Sequence, residues 1–544
     1  MSSATPERKP VDIARPIEIA REEELPGSIQ NENASIDDVP QLGLVAAIAS
    51  LSYVFWVVGG MEMIERLAYY GVKAVATLYA KDPISKGGLG VTMGDFGIIL
   101  MTWAMVQSIV PAFTGGLSDR FGYKQTIAVS TVVKIIGYLI MFATATLSGG
   151  SFGGYSNNFW GFFLGAIVLA TGTAIFKPGI QGTLVKATRR DNSSMAWGIF
   201  YQTVNIGGWL GPLVAGYMRK MEWRYVFLAC AGIISINFLM LLIYKEPGKL
   251  EREAALVEKK NSGEVQVSLF RDSMSELSRP HVWPYLLIFS GFWFMFNSLF
   301  DVLPAHLEEW VDSRDIVGTL FGTSQPHGIA AFLIVVDKSG LEVSPEGLLN
   351  VNAGLIMTTC FLFAWASGRM KAINSMMLGT LFASVSLCVS GYASLGWISL
   401  FAISVFSIGE MLSSPKFSEY IGNFAPANKK AMYLGFSQIP LAIGWTLEGR
   451  VGPKLYDHFA SKDTFAREAL AAKGMTADAI AAIPQGEAFD KFKDFMHLDK
   501  FAATEILRQG HHPEYVWYIM AVVGVISAYG IWWYGRWVKT IVTK

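Results

Sequence analysis

Gly59-Gly60-Met61-Glu62-Met63-Ile64-Glu65-Arg66-Leu67-Ala68-Tyr69-Tyr70-Gly71-Val72-Lys73 lies inside a segment otherwise built of apolar residues. Positions 62, 65, 66, 69 and 73 are spaced i, i+3, i+4, i+7 and i+11, which puts them on one face of a helix. One face of a membrane-length helix therefore carries two carboxylates, a guanidinium, a phenol and an ammonium. Each charge at that depth costs roughly 2.5–3.5 kcal/mol on insertion scales. Such groups persist where they line a wet cavity or pair with one another. The face reads as a proton or substrate pathway.

The rest of the chain agrees with a membrane setting. Its 544 residues are 52% hydrophobic and 16% charged, with a mean hydropathy of +0.37. That is too apolar for an ordinary soluble domain and fits an all-α, multi-pass membrane protein. The formal net charge is zero, so no nucleic-acid partner is expected. Cys230, Cys360 and Cys388 lie in apolar runs and read as small core residues, with no disulfide or metal cluster. No Walker-type phosphate loop or nucleophile elbow occurs, so no enzyme and no cofactor beyond a proton gradient is expected.

Residues 1–44 are polar, without an apolar signal-peptide core, and read as a disordered cytoplasmic tail. A span needs about 20 mostly apolar residues. About twelve segments qualify: Leu51 to Leu78, Phe96 to Leu117, Thr126 to Leu147, Phe159 to Leu184, Met195 to Tyr217, Tyr225 to Tyr244, Val282 to Leu303, Leu348 to Ser367, Asn374 to Ala393, Trp397 to Tyr420, Ala431 to Leu455 and Tyr515 to Trp537. They divide into a six-helix lobe over 45–244, a cytoplasmic linker over 245–281, and a second six-helix lobe over 282–544. The linker, with Glu251, Arg252, Glu253, Glu258, Lys259 and Lys260, is expected to hold a surface helix. Hydrophilic insertions at about 306–347 and 457–513 are expected to be small extracytoplasmic caps. His306, His327, His458, His511 and His512, which fall in these caps or loops, are expected at the surface. Basic residues gather in alternate short loops: Arg120 and Lys124, Lys186 with Arg189 and Arg190, Arg369 and Lys371, Lys429 and Lys430. By the positive-inside rule both termini are cytoplasmic, in an inner or plasma membrane. Two six-span halves joined by a charged linker suit a transporter that binds its solute at midplane between the lobes.

The junction Gly115-Gly116-Leu117-Ser118-Asp119-Arg120-Phe121-Gly122-Tyr123-Lys124 resembles the cytoplasmic loop signature of the major facilitator superfamily. In physical terms Asp119 and Arg120 form a charged latch that biases one conformation. The first-span pattern Glu62-x-x-Glu65-Arg66-x-x-Tyr69-Tyr70-Gly71 is similar to the signature of the proton-dependent oligopeptide transporter family within it. Phe200 to Gly207, Thr171-Gly172-Thr173 through Phe176-Lys177-Pro178, Asn352 with the apolar run after it, and Gly409-Glu410 with Ser414-Pro415 and Ala425-Pro426 resemble further motifs of that family. The resemblance covers nearly all of the transmembrane part and leaves out the tail and both insertions.

The resemblance implies a proton-coupled symporter importing di- and tripeptides by alternating access, with a small zwitterionic solute, protons and the lipid bilayer as partners and a monomer as the working unit. It implies proton coupling by Glu62, Glu65 and Arg66, with Lys177 ion-paired to that cluster. Arg66, Tyr69, Tyr70 and Lys177 would face a peptide carboxylate, and Asn205, Asn352 and Glu410 its amino end and backbone. A zwitterion needs unlike poles on opposite walls, and Lys177 and Glu410 lie in opposite halves.

Departures from the pattern stand beside it. The seventh-span run Phe292-Trp293-Phe294-Met295-Phe296 ends in Asn297 where the family has an acidic residue. Asp301, one turn on, is the candidate replacement, with Lys73 as its gating partner. Lys416 follows Pro415 where a small residue is usual, three residues before Glu419. Lys134, Glu448 and Arg450 stay open between structural pairing and cavity lining. The alternatives are the same machinery carrying another solute, such as an amino acid derivative, nitrate or a drug-like amine, or a non-transporting sensor.

Overall fold

The computed structural model describes residues 44–145, 150–189, 192–250, 253–254, 274–424, 433 and 435–542. In chain order its helices are α1 (Leu44–Ala49), α2 (Tyr53–Lys81), α3 (Met93–Phe121), α4 (Tyr123–Thr144), α5 (Asn157–Ala187), α6 (Ser193–Met221), α7 (Trp223–Ile243), α8 (Val282–Asp301), α9 (Leu303–Trp310), α10 (Arg314–Phe321), α11 (Gly328–Leu333), α12 (Pro345–Gly368), α13 (Ala372–Tyr392), α14 (Gly396–Phe424), α15 (Gln438–Phe459), α16 (Lys462–Ala472), α17 (Ala477–Ala481), α18 (Ala488–Met496), α19 (Lys500–Gly510) and α20 (Tyr515–Val542). The tail over 1–43 and most of the linker, including Glu251, Arg252, Glu258, Lys259 and Lys260 of its expected helix, lie outside the described residues.

Twelve long helices correspond to the twelve segments read from hydropathy. Most run beyond the apolar core by a few residues, because helical hydrogen bonding continues past it: α2 ends at Lys81 and α3 begins at Met93. Ser52, Thr92 and Ser156 cap α2, α3 and α5 by accepting from the backbone N–H three residues on. α15 begins at Gln438, and residues 431, 432 and 434 of the expected eleventh span lie outside the described residues. Among the described residues, eight helices are long and apolar enough to cross a membrane. The long helices that fall short of that composition are α2, α6, α12 and α15. The first carries Glu62, Glu65, Arg66 and Lys73, and the last Glu448, Arg450, Lys454 and Asp457.

Packing repeats between the halves. In the first, α2 packs on α6, α4 on α5, and α4 on α7; in the second, α8 packs on α15, α13 on α14, and α13 on α20. Glycines let backbones touch at these crossings. A Cβ on Gly211 of α6 would lie 2.8 Å from the Gly71 nitrogen of α2, and one on Gly379 of α13 would lie 2.5 Å from the Gly409 carbonyl of α14. The halves meet where α3 packs on α15 and α6 on α12.

The insertion at 457–513 folds into α16–α19 around its own apolar cluster: Phe465, Leu470, Phe492 and Leu507, with Trp310 supplied by α9. The insertions grip the first lobe. Lys81 pairs with Glu309, Arg219 Nε lies 2.8 Å from Glu346 Oε1, Ser85 donates to Glu487 at 2.5 Å, and Lys86 reaches Asp490 at 3.0 Å. Met93 and Gly94 donate their backbone N–H groups to Asp457 at 2.9 and 2.5 Å. On this face the lobes are closed against each other.

The loop before α5 contains a small antiparallel hairpin, β1 (Ser151–Phe152) with β2 (Tyr155–Ser156), whose Tyr155 hydroxyl donates to Asp95 at 2.7 Å. One local expectation is corrected. His306 is fully buried, since α20 covers it and Trp517 Nε1 donates to its Nδ1 at 3.2 Å. Burial holds its ring down to about 3, so the imidazole is neutral.

Candidate functional site

The charged face of α2 points inward. Arg66 Nε lies 2.8 Å from Glu62 Oε1, across one helical turn, and 3.1 Å from Glu65 Oε2. The guanidinium is thus shared between two buried carboxylates. The other oxygen of Glu65 lies 3.5 Å from Lys134 Nζ of α4, and both side chains are completely shielded. Lys134 is aimed there because α5 runs close beside it: a Cβ on Gly172 would stand 2.6 Å from Lys134 Cγ. Its ammonium also lies 3.5 Å from the centroid of Phe176.

This corrects the expected pairing. Among the described residues Lys177 makes no ion pair with Glu62 or Glu65 within 4.0 Å, although all three and Arg66 sit near enough to act on one another electrostatically. Lys177 is half-buried, one turn beyond Thr173 on α5, and Pro178 follows it inside the helix. Lys134, the shorter reach to α2, takes the contact.

Tyr69 and Tyr70 extend the cationic wall. The Tyr69 hydroxyl donates to Gln107 Oε1 at 3.1 Å, and Trp103 Nε1 donates to the same oxygen at 3.0 Å. Tyr69 is therefore held in the wall. Tyr70, edge-on to Tyr69 at 5.4 Å, lies within electrostatic reach of both Arg66 and Glu410. It stands between the two poles.

The second lobe supplies the anionic pole. Glu410 of α14 is buried, and Asn352 Nδ2 of α12 donates to its Oε2 at 3.1 Å and to Ser407 Oγ at 3.0 Å. Asn205 of α6 donates instead to its own helix, to the Tyr201 carbonyl at 2.8 Å. Tyr201, one turn before Asn205, also feels the Glu410 charge. Gln202 Nε2 spans the lobes to the Met357 carbonyl at 3.3 Å. Lys416 is buried on the same helix as Glu410. The side chains of Glu419, Asp119 and Arg120 lie outside the described residues, so neither the local Lys416–Glu419 pair nor the latch is addressed.

Toward the insertion face Lys73 of α2 pairs with Asp301 Oδ1 of α8, across the lobes and out of contact with solvent. Trp445 Nε1 of α15 donates to Asp301 Oδ2 at 2.8 Å, and the Thr77 hydroxyl donates to the Asp301 carbonyl at 2.7 Å. The Trp445 ring lies 4.7 Å from the ammonium. Asn297 donates to the Trp293 carbonyl at 2.7 Å and takes no part. Gln107, Thr77 and Trp445 escaped the sequence reading: the contacts of Thr77 and Trp445 with Asp301 and of Gln107 with Tyr69 run between helices, which no single-helix pattern signals.

The family model of the Major Facilitator Superfamily matches residues 44–447. The chain belongs to this superfamily. As a member it is a multi-pass membrane transporter and not an enzyme. The superfamily match takes in α1 through the first part of α15, and so both poles and the Lys73–Asp301 pair.

An uncharacterized transporter of Bacillus subtilis strain 168, YclF, is 28% identical over 242 residues, 43% of either chain. The chain thus spans less than half the length of that relative. The multidrug resistance protein MdtH of Escherichia coli K12 is 21% identical over 364 residues, 66% of this chain and 77% of that one. Among solved structures, a peptide transporter POT in complex with sulfate superposes with a TM-score of 0.58 at 17% identity, covering 87% of this chain and 96% of that chain. A POT family transporter in complex with 5-aminolevulinic acid gives 0.58 at 16% identity, covering 87% and 98%. At these identities the likeness is one of fold.

Proposed function

We propose that the protein is a proton-coupled symporter of the oligopeptide transporter type, importing short peptides or related zwitterionic solutes across an inner or plasma membrane with both termini cytoplasmic. The observation that carries this reading is the pair of unlike poles: Arg66 and Lys177 in one lobe, Glu410 in the other, with Tyr70 between them. A zwitterion lying across the cavity would satisfy both. Its carboxylate would draw Arg66 away from Glu62 and Glu65. A buried carboxylate that loses its cation binds a proton, so substrate binding and proton binding are linked. Lys134 stays on Glu65 and sets how completely that carboxylate is released. The reading needs no cofactor beyond the proton gradient and no second subunit.

The test is dipeptide uptake into proteoliposomes under an imposed inward proton gradient. Accumulation above equilibrium is expected in the native protein. Its loss is expected in Glu65→Gln, with exchange of labelled for unlabelled peptide retained. Accumulation that persists in both Glu62→Gln and Glu65→Gln rejects the assignment.

A second reading, transport of another small solute, is favoured by Lys416. This cation is buried on the helix that carries Glu410, at a position where the family resemblance leads one to expect a small or apolar residue. A thermal-shift screen of dipeptides beside amino acid derivatives and amines separates the two.

A further inference from the structure

The closed gate holds one more ionisable group than the transport cycle above uses. Glu448 of α15, one turn past Trp445, is fully shielded, and neither carboxyl oxygen has a hydrogen-bond partner. Carbon closes around it. A Cβ on Gly452 would stand 2.5 Å from Glu448 Oε1, 3.1 Å from Met520 of α20, and 3.2 Å from Val302, the residue after Asp301.

The charges acting on Glu448 are Asp301 of α8 and Lys73 of α2. Of the other charged groups on α15, Lys454 is exposed, Arg450 donates to the Gly94 carbonyl at 3.3 Å, and Asp457 accepts from Met93 and Gly94. Where α3 packs on α15, Gly97 and Met101 make the contact, and Asp95 further out accepts from Tyr155. Nearer the insertion face, Lys81 is taken by Glu309.

The gate therefore contains two carboxylates and one ammonium. Asp301 has Lys73 on one oxygen and the Trp445 indole on the other. The Ser298 hydroxyl, which also bears on Glu448, donates to the Phe294 carbonyl at 3.0 Å, so no cation is left for a second anion, and a buried carboxylate without one is untenable. Two carboxylates beside one cation share a single negative charge.

We propose that Glu448 is a second proton-binding site, protonated while the gate between Lys73 and Asp301 is closed and ionised when water enters from the insertion side. On opening, the Glu448 O–H bond breaks, the proton passes to water and a hydrated carboxylate remains; on closing, one proton returns from the same side. In the open state an exposed glutamate is ionised above about pH 4.3. Closure then binds one proton, so acid on the insertion side favours the closed gate, by up to about tenfold in the closed-to-open ratio per pH unit. The place of this site in a cycle rests on the transport reading above; the proton itself is a property of the resting protein.

Infrared difference spectra of the full chain in nanodiscs, with spin-label distances across the insertion-side mouth from acid to neutral pH, test it. A protonated-carboxyl stretch is expected in the native protein and in Glu65→Gln, and is lost in Glu448→Gln. It is also lost in Asp301→Asn, for a different reason: Glu448 then ionises to become the counter-ion of Lys73. The closed population should respond to pH in the native protein and lose that response in Glu448→Gln. A carboxyl band that survives in Glu448→Gln, or in Asp301→Asn if the first variant does not fold, overturns the proposal. An unchanged pH response in Glu448→Gln does so too. Failure of proton-driven uptake would leave these readouts as they are, so the two readings fail separately.

Discussion

Lys134 Nζ of α4 lies 3.5 Å from Glu65 Oε1 of α2, with neither side chain reached by solvent. Removing Glu65 leaves Lys134 an unmatched buried charge, at a cost of roughly 3–5 kcal/mol, removing Lys134 leaves Glu65 to Arg66 alone, and removing both strands neither. Lys134→Gln and Glu65→Gln should each lower the thermal unfolding temperature in detergent, and the double variant should recover part of that loss. Melting temperatures that fall additively would show that the two side chains are not coupled.

The two poles make a prediction about substrate chemistry. If Lys177 reads a carboxylate and Glu410 an amino group, amidating a dipeptide's C-terminus should weaken binding to the native protein by roughly five- to a hundredfold. The same change should cost little more in Lys177→Ala, which has already lost the interaction. Acetylating the N-terminus should behave in the same way toward Glu410→Gln. Isothermal titration of the four ligand–protein combinations in each of the two cycles gives the coupling directly. Equal penalties in native and variant proteins would separate those residues from the substrate ends.

How much of this was visible in the chain differs from residue to residue. The twelve spans were legible because a membrane helix writes itself as about 20 apolar residues, and the charged face of α2 because its members share one helix. Lys134 could be seen as an oddity in the third span but not paired. Its partner depends on how closely α4 and α5 approach at Gly172, which no single-helix periodicity encodes. Lys177 was assigned that contact instead, on resemblance. His306 was misread because a hydrophilic insertion looks solvated in sequence, while in space α20 closes over it. The Lys73–Asp301 contact was legible from the family resemblance, which asks for an acidic residue near Asn297, together with depth, since both helices run in the same direction and the residues fall at one level.

The contacts that close the insertion face differ widely in burial, and so in strength. Lys86 and Asp490 are 56% and 44% exposed, and such a pair is worth about 0–1 kcal/mol. Arg219 is 16% exposed and faces Glu346, which is fully buried. Lys86→Ala should move spin-label distance populations across the mouth by less than about fivefold. Arg219→Ala should strand Glu346 and shift the mouth clearly toward open. The reverse ranking would place the latch on the surface pair.

The cap over 457–513 carries a pH dependence of its own. Lys462 opens α16 with its side chain buried. Its ammonium donates to the Thr504 hydroxyl at 2.8 Å and lies 4.2 Å from the Phe489 ring. Burial pushes it down to about 7, against the upward pull of Glu309. In the unfolded cap the same lysine titrates near 10.4. From about pH 7 to 10 the unfolded cap therefore holds a proton that the folded cap has released, and stability must rise with pH across that window. Below about 7 both forms are charged and the penalty is present in full. Lys500, which Glu342 holds above the ordinary lysine range against its own desolvation, loses its stabilising charge only at higher pH. Hydrogen exchange in α16–α19, corrected for intrinsic rates, should accordingly slow by up to about tenfold per pH unit from 7 to 10. Lys462→Met should show stronger protection than the native protein at pH 7 and little change above it. Protection that is flat in the native protein, or equally steep in Lys462→Met, would assign the effect to another group.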